Sequence, residues 1–185
     1  MTGIVQITLS MSLDGFITGP DPDQRQPLGA GGADLLRPGG TPELVEEVLA
    51  ATGATVVGRA MYDHVDGWGD EPPFTMPVFV VTHRHHEVRV AGRTNFTFVG
   101  DVGTAVAQAK VAAGEKNVYI GGGASIADQA LRLGLVDVLD LHIEPVLLGG
   151  GTRLFADIGG EPIALERTNL VEGEPTTHLR FRVSR

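Results

Sequence analysis

The stretch Val118-Tyr119-Ile120-Gly121-Gly122-Gly123-Ala124-Ser125-Ile126 decides the fold of this 185-residue chain. Aromatic and β-branched residues lead straight into three glycines, and residues 124–133, which favour a helix, follow at once. The order predicts a strand, a tight turn and a helix N-terminus. Because glycines let backbone N–H groups approach an anion and the helix dipole favours negative charge, this turn is a candidate phosphate site. A plain tight turn without a ligand is the alternative.

Composition restricts the class of protein. The chain is long enough for one domain with a sizeable core, and we expect a single domain over residues 1–185. A net charge of −9 without a long basic stretch disfavours nucleic acid as a partner. The absence of cysteine from the sequence excludes disulfides and thiol chemistry. The N-terminus has neither a basic region nor a long apolar run, so we expect no signal peptide, no membrane span and a cytoplasmic protein.

Strands alternate with helices along most of the chain. The predicted strands are residues 4–9, 54–57, 77–82, 95–99, 117–120, 136–143, 163–171 and 176–183. Further helices are predicted to begin at Thr41, as an N-cap, and after Asp101. Residues 18–40, rich in Gly and Pro, are predicted to form a long irregular loop of the kind that is often functional. The alternation predicts an α/β fold: a mostly parallel eight-stranded sheet with helices on both faces and a C-terminal antiparallel hairpin.

Three predicted strand ends carry groups suited to a phosphorylated ligand. They are Gly58-Arg59, Thr82-His83-Arg84 and the triple glycine. Because ligands of open α/β sheets bind outside the carboxyl ends of the strands, parallel strands would bring these turns to one rim. Arg59 and Arg84 could then bind a phosphate through bidentate, charge-assisted hydrogen bonds while the glycines hold a pyrophosphate. The combination predicts NADP(H) rather than NAD(H), and the alternative is that both arginines are solvated surface residues.

Two other interpretations fit the residues less well. A standard Rossmann fingerprint needs Gly-x-Gly-x-x-Gly after the first strand, whereas the glycines here come late and lack the third spaced position. The histidines at positions 64, 83, 85 and 86 raise the question of a metal site. Because His85 and His86 are adjacent on a probable turn without a carboxylate at chelating spacing, a solvated polar loop is favoured and we predict no metal site.

Three carboxylates are candidates for acid–base chemistry. Asp14 is the first, as an acid or a polar contact with the substrate, and turn formation by Asp14-Gly15 is the alternative. Glu43 is the second, with a favourable charge at a helix start as the alternative. Glu144, at a predicted strand end, is the third, and it could equally be a rim residue.

Four motifs occur in an order that resembles the dihydrofolate-reductase-like superfamily. They are Ser12-Leu13-Asp14-Gly15-Phe16-Ile17, Gly58-Arg59-x-x-Tyr62, Ile120-Gly121-Gly122-Gly123 and Pro145-Val146-Leu147-Leu148-Gly149-Gly150-Gly151-x-x-Leu154-Phe155. The branch that they resemble most is the C-terminal reductase domain of the bacterial bifunctional riboflavin-biosynthesis deaminase/reductase, with its stand-alone relatives. The resemblance implies NADPH as the hydride donor, a small-molecule substrate and a homodimer.

The resemblance also implies roles for single residues. It places Arg59 and the turn Thr82-His83-Arg84 at the adenosine 2′-phosphate, and the segment Gly121-Gly122-Gly123-Ala124-Ser125 at the pyrophosphate. Leu13, Asp14 and Ile17 would border the nicotinamide. The activity that it implies is reduction of a heterocycle of the 5-amino-6-(5-phosphoribosylamino)uracil type. The alternatives are a dihydrofolate reductase and a non-catalytic NADP-binding sensor.

Overall fold

The computed structural model of the protein describes residues 3–36, 42–84 and 86–184, except for the side chains of residues 34, 35 and 42–44. The strands are β1 (Val5–Ser12), β2 (Phe16–Thr18), β3 (Thr52–Gly58), β4 (Val78–Val81), β5 (Arg89–Ala91), β6 (Thr94–Val99), β7 (Asn117–Gly122), β8 (Val138–Glu144), β9 (Thr152–Arg153), β10 (Leu165–Glu172) and β11 (Thr177–Val183). The helices are α1 (Gly32–Leu35), α2 (Pro42–Ala51), α3 (Arg59–His64), α4 (Val102–Ala113) and α5 (Ala124–Arg132), with a 3-10 turn at Asp66–Trp68.

The main sheet has nine strands in the order β10-β11-β8-β1-β7-β3-β4-β6-β5. Pairing is parallel from β8 to β6 and antiparallel at both edges. The predicted fold class, including the C-terminal hairpin of β10 and β11, is confirmed. The sheet exceeds the predicted eight strands because β5 adds a three-residue edge strand, which is too short to show a pattern in the sequence.

One face of the sheet carries the larger apolar core. Val5 and Ile7 of β1 are fully buried there against α4 and α5. Small residues on both helices, Ala109 and Ala127 among them, are also fully buried, so the helices pack close to the strands. Asp101 accepts a hydrogen bond from the Thr104 backbone N–H at 2.8 Å, which confirms the predicted start of α4.

The second face changes character along the sheet. Over β3, β4 and β6 it is apolar, with Val57, Val80 and Phe96 buried beneath the aromatic residues that follow β3. Over β1, β8 and β11 it is polar and still buried, and its residues are Thr8, Ser10, Ser12, Asp140, His142, Glu144 and His178. Buried polar groups on a sheet require hydrogen-bond partners or a ligand. This half of the second face is therefore a candidate functional surface.

The Gly- and Pro-rich segment that follows β1 is more ordered than predicted. The predicted loop of residues 18–40 begins at Thr18, the last residue of β2, which pairs with β9 in a separate two-stranded sheet, and it contains the short helix α1. Gly151 allows this pairing, because it has a φ of +121° and a Cβ there would lie 2.0 Å from the Thr18 carbonyl oxygen. The predicted N-cap Thr41 and the end of the predicted loop, residues 37–40, lie outside the described residues.

Candidate functional site

A cavity of about 790 Å³ opens at the carboxyl ends of β3, β4 and β7 and extends over β1. It brings together all the predicted cofactor residues except Leu13: Ile17, Gly58, Arg59, Thr82, His83, Arg84, Gly121, Gly122, Gly123, Ala124 and Ser125. The strands that carry the three predicted turns are parallel, and for that reason the turns share one rim.

The glycine turn has the backbone that close approach to an anion requires. Gly122 has a φ of +121°, a conformation that favours glycine. A Cβ on Gly123 would meet no atom within 4 Å, so its backbone faces open space. No side chain caps α5, and the N–H groups of Ala124 and Ser125 have no hydrogen-bond partner among the described residues. Two free donors at a helix N-terminus can bind phosphate oxygens.

Gly58 sets the distance between the two turns on the central strands. A Cβ at this position would lie 2.8 Å from the Cγ1 atom of Ile126. Because glycine has no Cβ, the first turn of α5 can pack against the end of β3. The turn after β3 and the glycine turn thereby become neighbouring walls of one cavity.

The two predicted phosphate-binding arginines differ in their partners. The Nε of Arg59 donates to the Asp63 carboxylate at 2.6 Å, and its Nη1 contacts Nε2 of His86. Arg84 is exposed, and its guanidinium has no partner among the described residues. Its backbone N–H donates to Thr82 Oγ1 at 3.1 Å, which holds the turn after β4 in place. Arg84 is therefore the more available of the two cations.

The carboxylate of Asp14 lies outside the cavity lining, contrary to its predicted place beside the nicotinamide. It accepts hydrogen bonds from Ser12 Oγ at 2.6 Å and from the backbone N–H groups of Leu148 and Gly149 at 3.1 and 2.8 Å. The hydrogen bond from Ser12 is the main reason that the pKa of Asp14 falls to about 2. A carboxylate that is ionised at neutral pH has no proton to donate, so this geometry favours a structural role.

Other predicted residues also lie away from the cavity. The side chain of Leu13 is 66% exposed and is not among the lining residues, although its backbone N–H donates to the Val146 carbonyl. Glu144 is fully buried on β8, where Thr176 donates to its Oε2 at 2.8 Å, and it is not in the lining either. Glu43 lies in the first turn of α2, but its side chain is outside the described residues.

The sequence interpretation missed the floor of the cavity. We use "cavity floor" for the lining residues of β1 and β7, which are Thr8, Leu9, Ser10, Tyr119, Gly121 and Gly122. Alternate residues of β1 are polar from Gln6 to Ser12, and this alternation was the available signal for a polar face. Burial raises the pKa of Tyr119 on this floor to about 12, so its phenol is neutral.

Among the described residues, no three His, Asp or Glu side chains come close enough to hold a metal ion. None of the helices found there is long and apolar enough to cross a membrane.

Comparison with known proteins is consistent with this architecture. The family described as the RibD C-terminal domain matches residues 4–179. A candidate riboflavin biosynthesis protein from Shewanella sp. PV-4 has a solved structure with a TM-score of 0.77 and 22% identity, covering 98% of this chain and 99% of its own. A pyrimidine reductase-like protein from Corynebacterium diphtheriae gives a TM-score of 0.62 at 16% identity, covering 99% of this chain and 92% of that one.

One curated relative matches over a short segment. The uncharacterized protein YyaP of Bacillus subtilis (strain 168) is 46% identical over 43 residues, which are 23% of this chain and 23% of that protein. At their identities the solved structures establish the shared fold, while the family match extends over nearly the whole chain.

Proposed function

The chain belongs to the RibD C-terminal domain family, which is a reductase domain, and on that premise we propose that it is an NADPH-dependent reductase of a pyrimidine. The proposed substrate class is an aminouracil that carries a phosphoribosylamino group. The observation that carries the proposal is the cavity itself, in which three anion-suited turns meet beside a neutral polar floor.

The residues of the cavity suit a dinucleotide phosphate in their charges and hydrogen-bond donors. The free N–H groups of Ala124 and Ser125 would donate hydrogen bonds to the pyrophosphate, and the open backbone at Gly123 leaves room for it. Arg84 and, after exchange of its present partners, Arg59 would bind the 2′-phosphate. NADPH, when bound, supplies a hydride, while the protein orients both reactants and excludes water.

The first experiment compares the calorimetric affinities for NADPH and NADH in a buffer low in phosphate. We expect NADPH to bind at least about tenfold more tightly, since a charge-assisted hydrogen bond contributes about 1.5–3 kcal/mol. Turnover is then followed as the loss of reduced-nicotinamide absorbance with an aminouracil ribotide, with dihydrofolate as the comparison substrate. Absence of NADPH binding would refute the proposal, and faster turnover of dihydrofolate would reassign the substrate.

A non-catalytic NADP-binding sensor is the second candidate. It is favoured by one observation: neither Asp14 nor Glu144, two of the carboxylates proposed as acids, lines the cavity. Tight NADPH binding without oxidation across pyrimidine, pterin and quinone acceptors would select the sensor. Turnover of any of these acceptors would remove it.

We also propose that the protein forms a homodimer through the edge strand β10. All eight residues of this edge strand are exposed, and Leu165, Leu170 and Val171 are among them. An exposed edge strand with apolar side chains is suited to pairing with a second copy of the chain. Sedimentation of the wild type and of Leu170→Lys tests the proposal. We expect a dimer and a monomer respectively, and a wild-type monomer at micromolar concentration would reject it.

A further inference from the structure

Tyr119 is the titratable side chain of the cavity floor. It lies on β7 in register with Gln6 of β1 and Thr55 of β3, and so on the polar second face of the sheet. Its hydroxyl donates to the Thr8 carbonyl oxygen at 3.2 Å. That distance exceeds the usual 2.5–3.0 Å range of an O–H···O bond, so the hydrogen bond to Thr8 is weak and a better acceptor can replace the carbonyl oxygen.

A second observation on the floor indicates a missing polar partner. The Oγ1 atom of Thr8 is buried and has no hydrogen-bond partner among the described residues. A buried hydroxyl without a partner is unfavourable by about 1–3 kcal/mol. Thr8 lines the cavity, so this unpartnered hydroxyl belongs to the polar part of the cavity floor.

The Tyr119 ring also lies next to the glycine turn. A Cβ built on Gly121 would be 3.2 Å from the Cε1 atom of Tyr119 and 3.6 Å from its hydroxyl oxygen. The ring therefore covers Gly121, and glycine at that position makes room for it. The phenol lies between the proposed pyrophosphate site and the polar residues of β1.

We propose that Tyr119 is a catalytic residue, whose hydroxyl binds the imine nitrogen of the ring-opened substrate and gives it a proton. The inference rests on the proposed function. The imine carbon receives the hydride that NADPH supplies, its C=N π bond breaks toward nitrogen, and that nitrogen takes the Tyr119 proton. The imine is reduced to an amine and the nicotinamide is oxidised. After the products leave, an acid of the solvent returns a proton to the phenolate, so the net reaction consumes one proton from solution.

The protonation state of the phenol suits this role. Because burial raises its pKa to about 12, Tyr119 keeps its proton at neutral pH until a stronger base forms beside it. The nitrogen that develops negative charge during hydride transfer is such a base. The carboxylates that line the cavity have other partners, since Asp63 binds Arg59 and Asp101 caps α4.

The chain contains two tyrosines, and the other one provides a matched control. Tyr62 does not line the cavity, and its hydroxyl accepts a hydrogen bond from Arg89 at 3.0 Å within the aromatic cluster. Tyr119→Phe and Tyr62→Phe each remove one hydroxyl and keep the ring. Four quantities are compared with the wild type: kcat, the NADPH affinity, the melting temperature and the affinity of the NADP⁺ complex for an aminouracil that lacks the sugar.

We expect Tyr119→Phe to lower kcat about 100-fold, as general-acid catalysis predicts, with NADPH affinity within twofold of wild type. Its affinity for the aminouracil should fall about 3- to 10-fold, because one neutral hydrogen bond is lost. Tyr62→Phe should leave kcat and both affinities unchanged. A Tyr119→Phe variant with kcat within threefold of wild type would refute the role of Tyr119 and leave the reductase standing. A wild type that binds no NADPH would refute both.

Discussion

The Nδ1 atoms of His142 and His178 lie 2.7 Å apart on the neighbouring antiparallel strands β8 and β11. One of the two nitrogens must be deprotonated to accept the hydrogen bond, so the buried pair is stable with at least one neutral ring. Burial is the main cause that lowers the pKa of His142 from 6.5 to about 4, and the charge of His178 adds to it. Asp140 opposes the shift, and Arg180 supports it.

This pair predicts a loss of stability in mild acid. His142 of the unfolded chain gains its proton near pH 6.5, whereas the folded protein resists protonation until about pH 4. Between these values the unfolded state binds more protons, so the free energy of unfolding falls as the pH falls, by at most about 3 kcal/mol. Urea unfolding between pH 7 and 4 measures the slope. His142→Gln should flatten it and His83→Gln, an exposed control, should not; equal slopes for all three proteins would contradict the assignment.

Arg84 should determine the preference for NADPH. We expect Arg84→Ala to weaken NADPH about 10- to 100-fold and NADH less than twofold, because only NADPH carries the 2′-phosphate. Calorimetry of both cofactors measures the difference. Arg93→Ala, an exposed arginine outside the cavity, is the control. An equal loss of affinity for NADPH and NADH would indicate that Arg84 does not bind the 2′-phosphate.

Asp63 should compete with the cofactor for Arg59. The Asp63→Asn variant keeps the side-chain shape but removes the charge that now holds the Arg59 guanidinium at 2.6 Å. NADPH should then bind a few-fold more tightly, since Arg59 is released and a negative charge leaves the cavity. Arg59→Ala should weaken NADPH more than NADH. Asp63→Asn should improve NADPH affinity less in the Arg59→Ala background, where only the lost negative charge can act, than in the wild type. Equal gains in both backgrounds would refute the competition.

Asp14 should matter for stability rather than for proton transfer. Asp14→Asn cannot accept the same set of hydrogen bonds from Ser12, Leu148 and Gly149, so the melting temperature should fall. The pH profile of kcat should keep its shape because the native carboxylate, with a pKa of about 2, is already ionised over the working range. Thermal melting and pH–rate profiles measure both effects. If the pH profile of kcat for Asp14→Asn lost its acidic or basic limb, Asp14 would instead be the group that transfers the proton.

Local sequence patterns were sufficient to predict the structure wherever residues close together in the sequence determine it. The strand, glycine turn and helix of residues 117–132, the cap at Asp101 and the parallel central strands all follow from periodicity and backbone preference. Since parallel strands align their carboxyl ends, the meeting of the three turns at one rim also followed from the sequence. The short edge strand β5 could not be predicted from the sequence, because a strand of three residues is too short to show an alternation of apolar and polar residues.

The sequence by itself determined the order of the main strands and helices, the family resemblance and the residues that could bind phosphate. Only the tertiary structure decided which partners these residues contact. Asp14 meets backbone donors 134 and 135 residues away, and Arg59 meets His86 27 residues away. Tyr119 reaches Thr8 from 111 residues away. Periodicity reports which face of an element a side chain occupies, whereas its partner, and therefore its charge and availability, depends on which elements the folded chain packs beside it.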